Sequence, residues 1–397
     1  MIRQRTQVGI VGAGPAGLIL GHLLAEAGVD AVILEDRSRD YIEHRQRAGV
    51  LEHDVVRLLR EVGLGARLDR EGLEHAGIYL QFEGERHHID FRGLTGRTLT
   101  VYAQTEVVKD AVAHRLARGL PLEFEVSDVT LHDFDGDHPR LTYRRADGEA
   151  VELACDVIAG CDGFHGPSRE SVPAGRLTVW ERDYPYAWLG VLADVAPSTD
   201  ELIYARHADG FALHSLRSPT VSRLYLQVAP DEDPPAWSDD RIWDALQTRL
   251  GVAGWTLQEG PIREKVVTAM RSFVAAPMRH GRLFLAGDAA HIMPPTGAKG
   301  LNLAIADVVV LAQALVAWLR DGRPDLADSY AGTCLDRVWR CTQFSAWMTA
   351  TLHTPPDHDP FDAMLQLAQL RQITTSAAAA TALAETYTGV PLPLPPR

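Results

Sequence analysis

The hexapeptide Gly12-Ala13-Gly14-Pro15-Ala16-Gly17 limits the possible fold more than any other stretch of the chain. It follows QVGIVG (7–12), a β-branched apolar run that reads as a buried strand. It opens residues 15–27, which read as a helix, and AVILED (31–36) reads as a second buried strand. Strand, helix and strand in that order form a βαβ unit, which needs a parallel sheet covered on both faces. Each glycine has its own duty: Gly12 permits the tight turn, Gly14 lets the backbone approach a pyrophosphate, and Gly17 lets the helix pack close to the strand. The helix N-terminus presents unpaired N–H groups and a positive dipole end to phosphate. Glu35 ends the second strand, where a ribose hydroxyl is met. The motif predicts a bound dinucleotide and does not separate FAD from NAD.

Farther along, residues 53–62 read as an amphipathic helix, and 74–103 turn strand-like through GIYLQF and TLTVYAQ. TEVVKDAVAHRLAR (105–118) reads as a helix with Thr105 as its N-cap. Short strands and turns fill 120–160 and end at Cys161-Asp162-Gly163, which alone reads as an ordinary Asp-Gly turn. Residues 185–230 are strand-rich, 239–250 read as a helix, and GRLFLAGDAAH (281–291) is a buried strand running into a polar turn. Helices are expected at 301–322, 325–352 and 361–385. The expected fold class is α/β with an α+β insert. A Rossmann-like domain with a parallel sheet takes 1–72, 96–180 and 281–322; a sheet-rich insert takes 73–95 and 181–280; a helical C-terminal region takes 323–397.

Charge and cysteine usage narrow the partners. Formal net charge is −14 over 397 residues, which argues against nucleic acid or an anionic membrane as the main partner but allows a local basic pocket. Cys155, Cys161, Cys334 and Cys341 show no zinc spacing, so no metal is expected, and they suit reduced thiols in a cytoplasm. The apolar run from Val8 to Leu24 is broken by glycines and Pro15, so neither a signal peptide nor a transmembrane helix is expected.

LHSLRSPTVSRLYLQV (213–228) reads as two strands around Ser218-Pro219-Thr220. With period two, His214, Leu216, Leu224, Leu226 and Val228 share one mostly apolar face. Ser215, Arg217, Arg223, Tyr225 and Gln227 share the other. Antiparallel pairing across the loop predicts Ser215 near Tyr225 and Arg217 near Arg223. Two facing arginines suit either a solvated face or a bound anion, and the residues alone leave both open.

A third motif, Gly287-Asp288-Ala289-Ala290-His291, is followed by Met293-Pro294-Pro295-Thr296-Gly297-Ala298-Lys299-Gly300 before a helix. The order GxGxxG, DG, GD resembles the FAD-dependent class A aromatic hydroxylases. The likeness extends through RAGVLE (47–52), YAQTEV (102–107), AGCDGFHG (159–166), LRSPTVSR (216–223) and FLAGDAAHIMPPTGAKGLNLA (284–304), and so covers nearly the whole chain. The resemblance implies an enzyme that binds FAD and uses NADPH or NADH and O2. It would hydroxylate 4-hydroxybenzoate to 3,4-dihydroxybenzoate through a flavin C4a-hydroperoxide, as a cytoplasmic homodimer.

Residue by residue, the resemblance implies that Ser215, Arg217 and Tyr225 hold the substrate carboxylate. Tyr204, with Tyr387 behind it, meets the phenol and passes its proton to His75, while the Pro295 carbonyl contacts the reacting hydroxyl. For FAD it implies Gly12, Gly14, Gly17, Glu35, Arg47, Gln104, Asp162, Arg223, Asp288, Thr296 and Asn302. Taken alone, His75 is one of sixteen histidines, and both tyrosines read as packing aromatics. Asp36 departs from the family pattern. It would repel a nicotinamide 2′-phosphate, although Arg37, Arg39 and Arg45 could offset it, so relaxed nicotinamide choice or NADH preference is expected. Another aromatic acid as substrate, or an aromatic-acid sensor without turnover, are the alternatives.

Overall fold

The computed structural model describes residues 1–45, 49–357 and 359–392. Val8–Val11, Pro15–Glu26 and Ala31–Leu34 form the strand, helix and strand that the glycine motif predicts. Both strands are wholly buried, as β-branched runs in a doubly covered parallel sheet must be. Their sheet has six strands, in the order Arg279–His280, Leu283–Leu285, Val157–Gly160, Val8–Val11, Ala31–Leu34 and Leu122–Glu123. All neighbours run parallel except the first pair. Residues far apart in sequence thus lie side by side, and the carboxyl ends of three adjacent strands open onto Gly12, Cys161-Asp162 and Gly287-Asp288.

The helix Gly300–Asp321 packs beside Pro15–Glu26 under this sheet. It is long and apolar enough to cross a membrane, but most of it is buried within the protein, as in a core helix. A second sheet of eight strands carries the rest of the strand-rich sequence. Its order is His291–Ile292, Ile262–Ala276, Thr178–Ala193, Val221–Val228, Ala212–Ser218, Ile203–Ala205, Gly77–Phe82 and Glu85–Asp90. The apolar face of the 212–228 hairpin, with Leu224, Leu226 and Val228, packs with Ile242, Trp243 and Leu246 of the helix Asp239–Leu250. The opposite face, with Leu213 and Tyr225, joins a cluster holding Trp188, Tyr204, Phe211 and Tyr387.

Several expectations need correction. The hairpin pairs Ser215 with Arg223 and Leu213 with Tyr225, with an irregularity between Leu216 and Ser218. The register is two residues from the expected one, so every side chain keeps its face while its neighbour changes. The cause is the turn, which closes on Ser218 and Val221 around Pro219-Thr220 alone. Thr105 is not an N-cap: the helix begins at Gln104 with Ala103 as its cap residue, and the threonine is inside the first turn. The helix expected over 361–385 is two, Pro360–Thr375 and Ala377–Thr388, because Ser376 leaves helical geometry and caps the second by accepting from Ala379 N–H. A three-stranded sheet of Val50–Leu51, Leu99–Val101 and Leu73–His75, and a four-stranded one containing Ile2–Arg5, also form.

Candidate functional site

The glycine motif can be tested by what a side chain would meet at each position. A Cβ at Gly12 would lie 2.4 Å from Cys161 O, and one at Gly17 would lie 2.0 Å from Gly12 O. Both glycines are therefore required by the protein's own packing, and Gly12 also has φ of 100°. A Cβ at Gly14 would meet nothing within 4 Å, so the protein itself does not demand glycine there. The helix that Gly14 caps has no side-chain cap bond, which leaves its first N–H groups facing this open space. That is the arrangement a pyrophosphate needs.

The acidic groups expected around a dinucleotide lie on the same edge of the sheet. Glu35 accepts hydrogen bonds from the N–H groups of Ala13, at 2.7 Å, and Arg37, at 3.0 Å. Burial, and then Asp36, push its carboxyl up to about 7. Asp162 accepts from Ser168 N–H at 2.8 Å through one oxygen, while Oδ1 is buried without a hydrogen-bond partner. Burial raises its pKa. A half-buried carboxyl group with one unsatisfied oxygen, beside Gly12, fits a ligand hydroxyl. Asp288 is exposed, at the start of the turn after Leu283–Leu285. The turn is braced by Asp307, whose Oδ2 accepts from Gly287 N–H at 3.0 Å and lies 2.6 Å from His291 Nε2. Gln104 is half-buried at the start of its helix. Arg47 lies outside the described residues.

The polar hairpin face is not a solvated surface. Ser215, Arg217, Arg223 and Tyr225 line one narrow cavity with Gly49, Val50, Val101 and Leu216. Arg217 Nη2 donates to Thr105 Oγ1 at 2.9 Å, and Thr105 is buried. Burial, then Arg223, pull the Arg217 guanidinium below the ordinary arginine range. Arg223 lies over the Tyr225 ring, 5.4 Å from its centroid. Two guanidinium groups, a serine and a tyrosine around an enclosed space can grip a carboxylate.

Tyr204 and Tyr387, 183 residues apart, share a hydrogen bond between their buried hydroxyls. Burial raises both phenols well above their ordinary range, so at neutral pH each stays protonated and able to both donate and accept. The expected third member is not joined to them. His75 is fully buried, neither ring nitrogen has a hydrogen-bond partner, and burial pulls its imidazole down to about 4. It is held by the pairing of Leu73–His75 with Leu99–Val101, which fixes its backbone without offering a donor or acceptor to the ring.

Pro295 is exposed in the turn before the long helix, and Thr296 is buried with its hydroxyl 2.8 Å from that of Thr349. Asn302 ties this region to the strand Val50–Leu51: it donates to Val50 O at 2.8 Å and accepts from Glu52 N–H at 2.9 Å. Two further residues were not legible as site residues. Lys299 is buried, with Nζ 2.7 Å from Glu52 Oε1 and donating to Tyr387 O at 2.8 Å. The only signal for it was a lysine standing where the GAKG turn enters an apolar helix. Glu52, 247 residues away, carried none.

The FAD binding domain family matches residues 5–345. The chain belongs to this family. Among curated proteins it is 47% identical over 393 residues to p-hydroxybenzoate hydroxylase of Acinetobacter baylyi, covering 98% of this chain and 97% of that protein. It is 29% identical to 3-(3-hydroxy-phenyl)propionate/3-hydroxycinnamic acid hydroxylase of Burkholderia cenocepacia, over 78% of this chain and 57% of that protein. Among solved structures, p-nitrophenol 4-monooxygenase from Pseudomonas putida shares the fold at a TM-score of 0.82 and 21% identity, covering 98% of this chain and 99% of that one. FAD is therefore this protein's dinucleotide cofactor.

Proposed function

We propose that this flavoprotein is a monooxygenase that hydroxylates 4-hydroxybenzoate at the carbon ortho to its hydroxyl, using O2 and NAD(P)H and giving 3,4-dihydroxybenzoate. The observation that carries the reading is one apolar cluster holding Tyr225, from the arginine-lined cavity, together with the Tyr204–Tyr387 hydroxyl pair. A rigid aromatic acid has a carboxylate at one end and a phenol at the other, and the cluster supplies a matching group for each. The 47% identity over nearly the full length of both chains supports the same substrate.

In this reading Arg217, Ser215 and Tyr225 bind the carboxylate, and Arg223, which lines the same cavity, would contact FAD as the family resemblance implies. The bound FAD supplies reductive activation of O2 and oxygen transfer. Tyr204 accepts the phenol proton while giving its own to Tyr387, which makes the ring more electron-rich at the ortho carbon. The apolar walls from Trp188, Phe211 and Leu213 keep water out. Pro295, Thr296, Asn302, Gln104, Glu35, Asp162 and Asp288 are assigned to substrate and cofactor contacts as the family resemblance implies. His75 is assigned to the exit of the relay as the family resemblance implies, without a direct hydrogen bond to the tyrosine pair. Substrate-stimulated oxidation of NAD(P)H tests the reading: 4-hydroxybenzoate should accelerate it, and indifference to the compound would favour a sensor.

NADH is expected to serve at least as well as NADPH. Asp36 pairs with Arg37 at 3.5 Å, and Arg39 with Glu43 at 2.7 Å, so two of the three nearby basic groups already have an acidic partner, while Arg45 lies over the Tyr41 ring. Comparing kcat/KM for the two reductants checks this, and a large NADPH advantage would refute it. The reading also makes the protein a cytoplasmic homodimer. Phe361, Met364 and Leu365 are exposed on one face of the helix Pro360–Thr375, and such a contiguous apolar face suits a second copy. Sedimentation velocity should show twice the chain mass, and a monomer for Leu365→Lys; a monomeric native protein contradicts the assignment.

A further inference from the structure

Tyr387 stands next to the last residue of the helix Ala377–Thr388. The last turn of a helix has carbonyls without intrahelical partners, and it frays most readily. A relay tyrosine there needs restraint from outside. Gly389 does not supply the usual left-handed cap: its φ of 111° and ψ of 146° turn the chain away. One distant side chain takes a last-turn carbonyl, and others hold the chain just beyond the helix.

Lys299 donates to Tyr387 O at 2.8 Å. Arg97, just beyond the helix Phe91–Thr95, donates to Gly389 O at 2.9 Å. Arg337, within the helix Asp325–Leu352, donates to Val390 O at 2.7 Å and also to Pro391 O. Asp54 accepts from Leu392 N–H at 3.0 Å. The tail is pressed close as well, since a Cβ at Gly389 would lie 2.2 Å from Glu52 Oε2. Residues 387–392 are thus fastened on both sides of Gly389.

We propose that Arg97 and Arg337 are positioning residues for proton transfer: by holding the carbonyls of residues 389–391 they tether the chain just after the helix and keep the Tyr387 hydroxyl on that of Tyr204. The proposal rests on the functional reading above. Neither arginine lines the carboxylate cavity. Both act through backbone, and a hydroxyl-to-hydroxyl bond tolerates little displacement. Loosening the tail should therefore impair proton removal from the bound phenol without weakening substrate binding.

The test uses purified FAD-loaded Arg337→Ala, Arg337→Lys and Arg97→Ala. For Arg337→Ala the KM for 4-hydroxybenzoate should stay close to that of the unaltered protein. Product formed per reductant consumed should fall about threefold or more, since small misplacements at a reacting centre have large effects on rate. Arg337→Lys, which keeps a donor, should recover most of that ratio. Arg97→Ala should repeat the loss and serves if Arg337→Ala yields no holoenzyme. An unchanged ratio in the arginine-to-alanine variants overturns the proposal, and so does a loss confined to Tm or FAD content. Failure of the unaltered protein to make 3,4-dihydroxybenzoate overturns the functional reading and the relay with it.

Discussion

Arg217→Ala raises the KM for 4-hydroxybenzoate by about 10- to 100-fold in this account, the loss of a charge-assisted carboxylate contact at about 1.5–3 kcal/mol. The expectation follows from where the side chain is. Arg217 lies on the polar face of a hairpin whose other face is packed against a helix, so the strand cannot rotate to offer a substitute. Burial has already stripped water from the guanidinium, and Arg223 beside it disfavours a second positive charge. Both costs are offset when a carboxylate arrives. Removing Arg217 leaves Arg223, which is engaged with the Tyr225 ring, as the remaining guanidinium of the cavity. Steady-state titration of substrate, with flavin content measured in parallel, separates lost affinity from lost cofactor. An unchanged KM would remove Arg217 from the site.

Tyr204→Phe is expected to divide reductant use from hydroxylation. The variant keeps the ring, so packing against Phe211 and Tyr387 survives, and only the hydroxyl that meets the phenol is lost. NAD(P)H is still oxidised. Product falls to about a tenth or less of the reductant consumed, because positioned proton transfer contributes about 10²–10⁴ in rate, and hydrogen peroxide accounts for the rest. Quantifying peroxide and 3,4-dihydroxybenzoate together checks this. Tight coupling in Tyr204→Phe would show that the phenol loses its proton by another route.

The sequence was most informative where a local pattern meets a local physical demand. A β-branched run, three spaced glycines and a helix give the nucleotide-binding edge because Gly12 and Gly17 each answer a contact within a few residues or beside the adjacent strand, while Gly14 keeps the space before the helix open. The hairpin's faces were legible from period two, but its register was not. Register depended on a turn that closed tightly around Pro219-Thr220, and the alternation is blind to a two-residue shift. Thr105 looked like a cap because threonine favours that role, yet its hydroxyl accepts from Arg217 of the hairpin, 112 residues on.

The least legible features join segments hundreds of residues apart. Lys299–Glu52, Arg97–Gly389 and Tyr204–Tyr387 leave no spacing signal, and the last of these came only from the family resemblance. His75 shows the limit of that route. The resemblance implied its place in a relay, and the fold buries it without a direct hydrogen bond to the tyrosine pair. A dry imidazole with a depressed pKa is a weak proton acceptor in this arrangement.

The most direct test of the central claim is aerobic turnover of the FAD-loaded protein with 4-hydroxybenzoate, in separate reactions with NADH and NADPH, with the aromatic product identified by mass and retention time. The account predicts 3,4-dihydroxybenzoate in step with reductant consumed, and NADH at least as effective as NADPH. Reductant consumed with only peroxide formed, or no consumption above background, would contradict it.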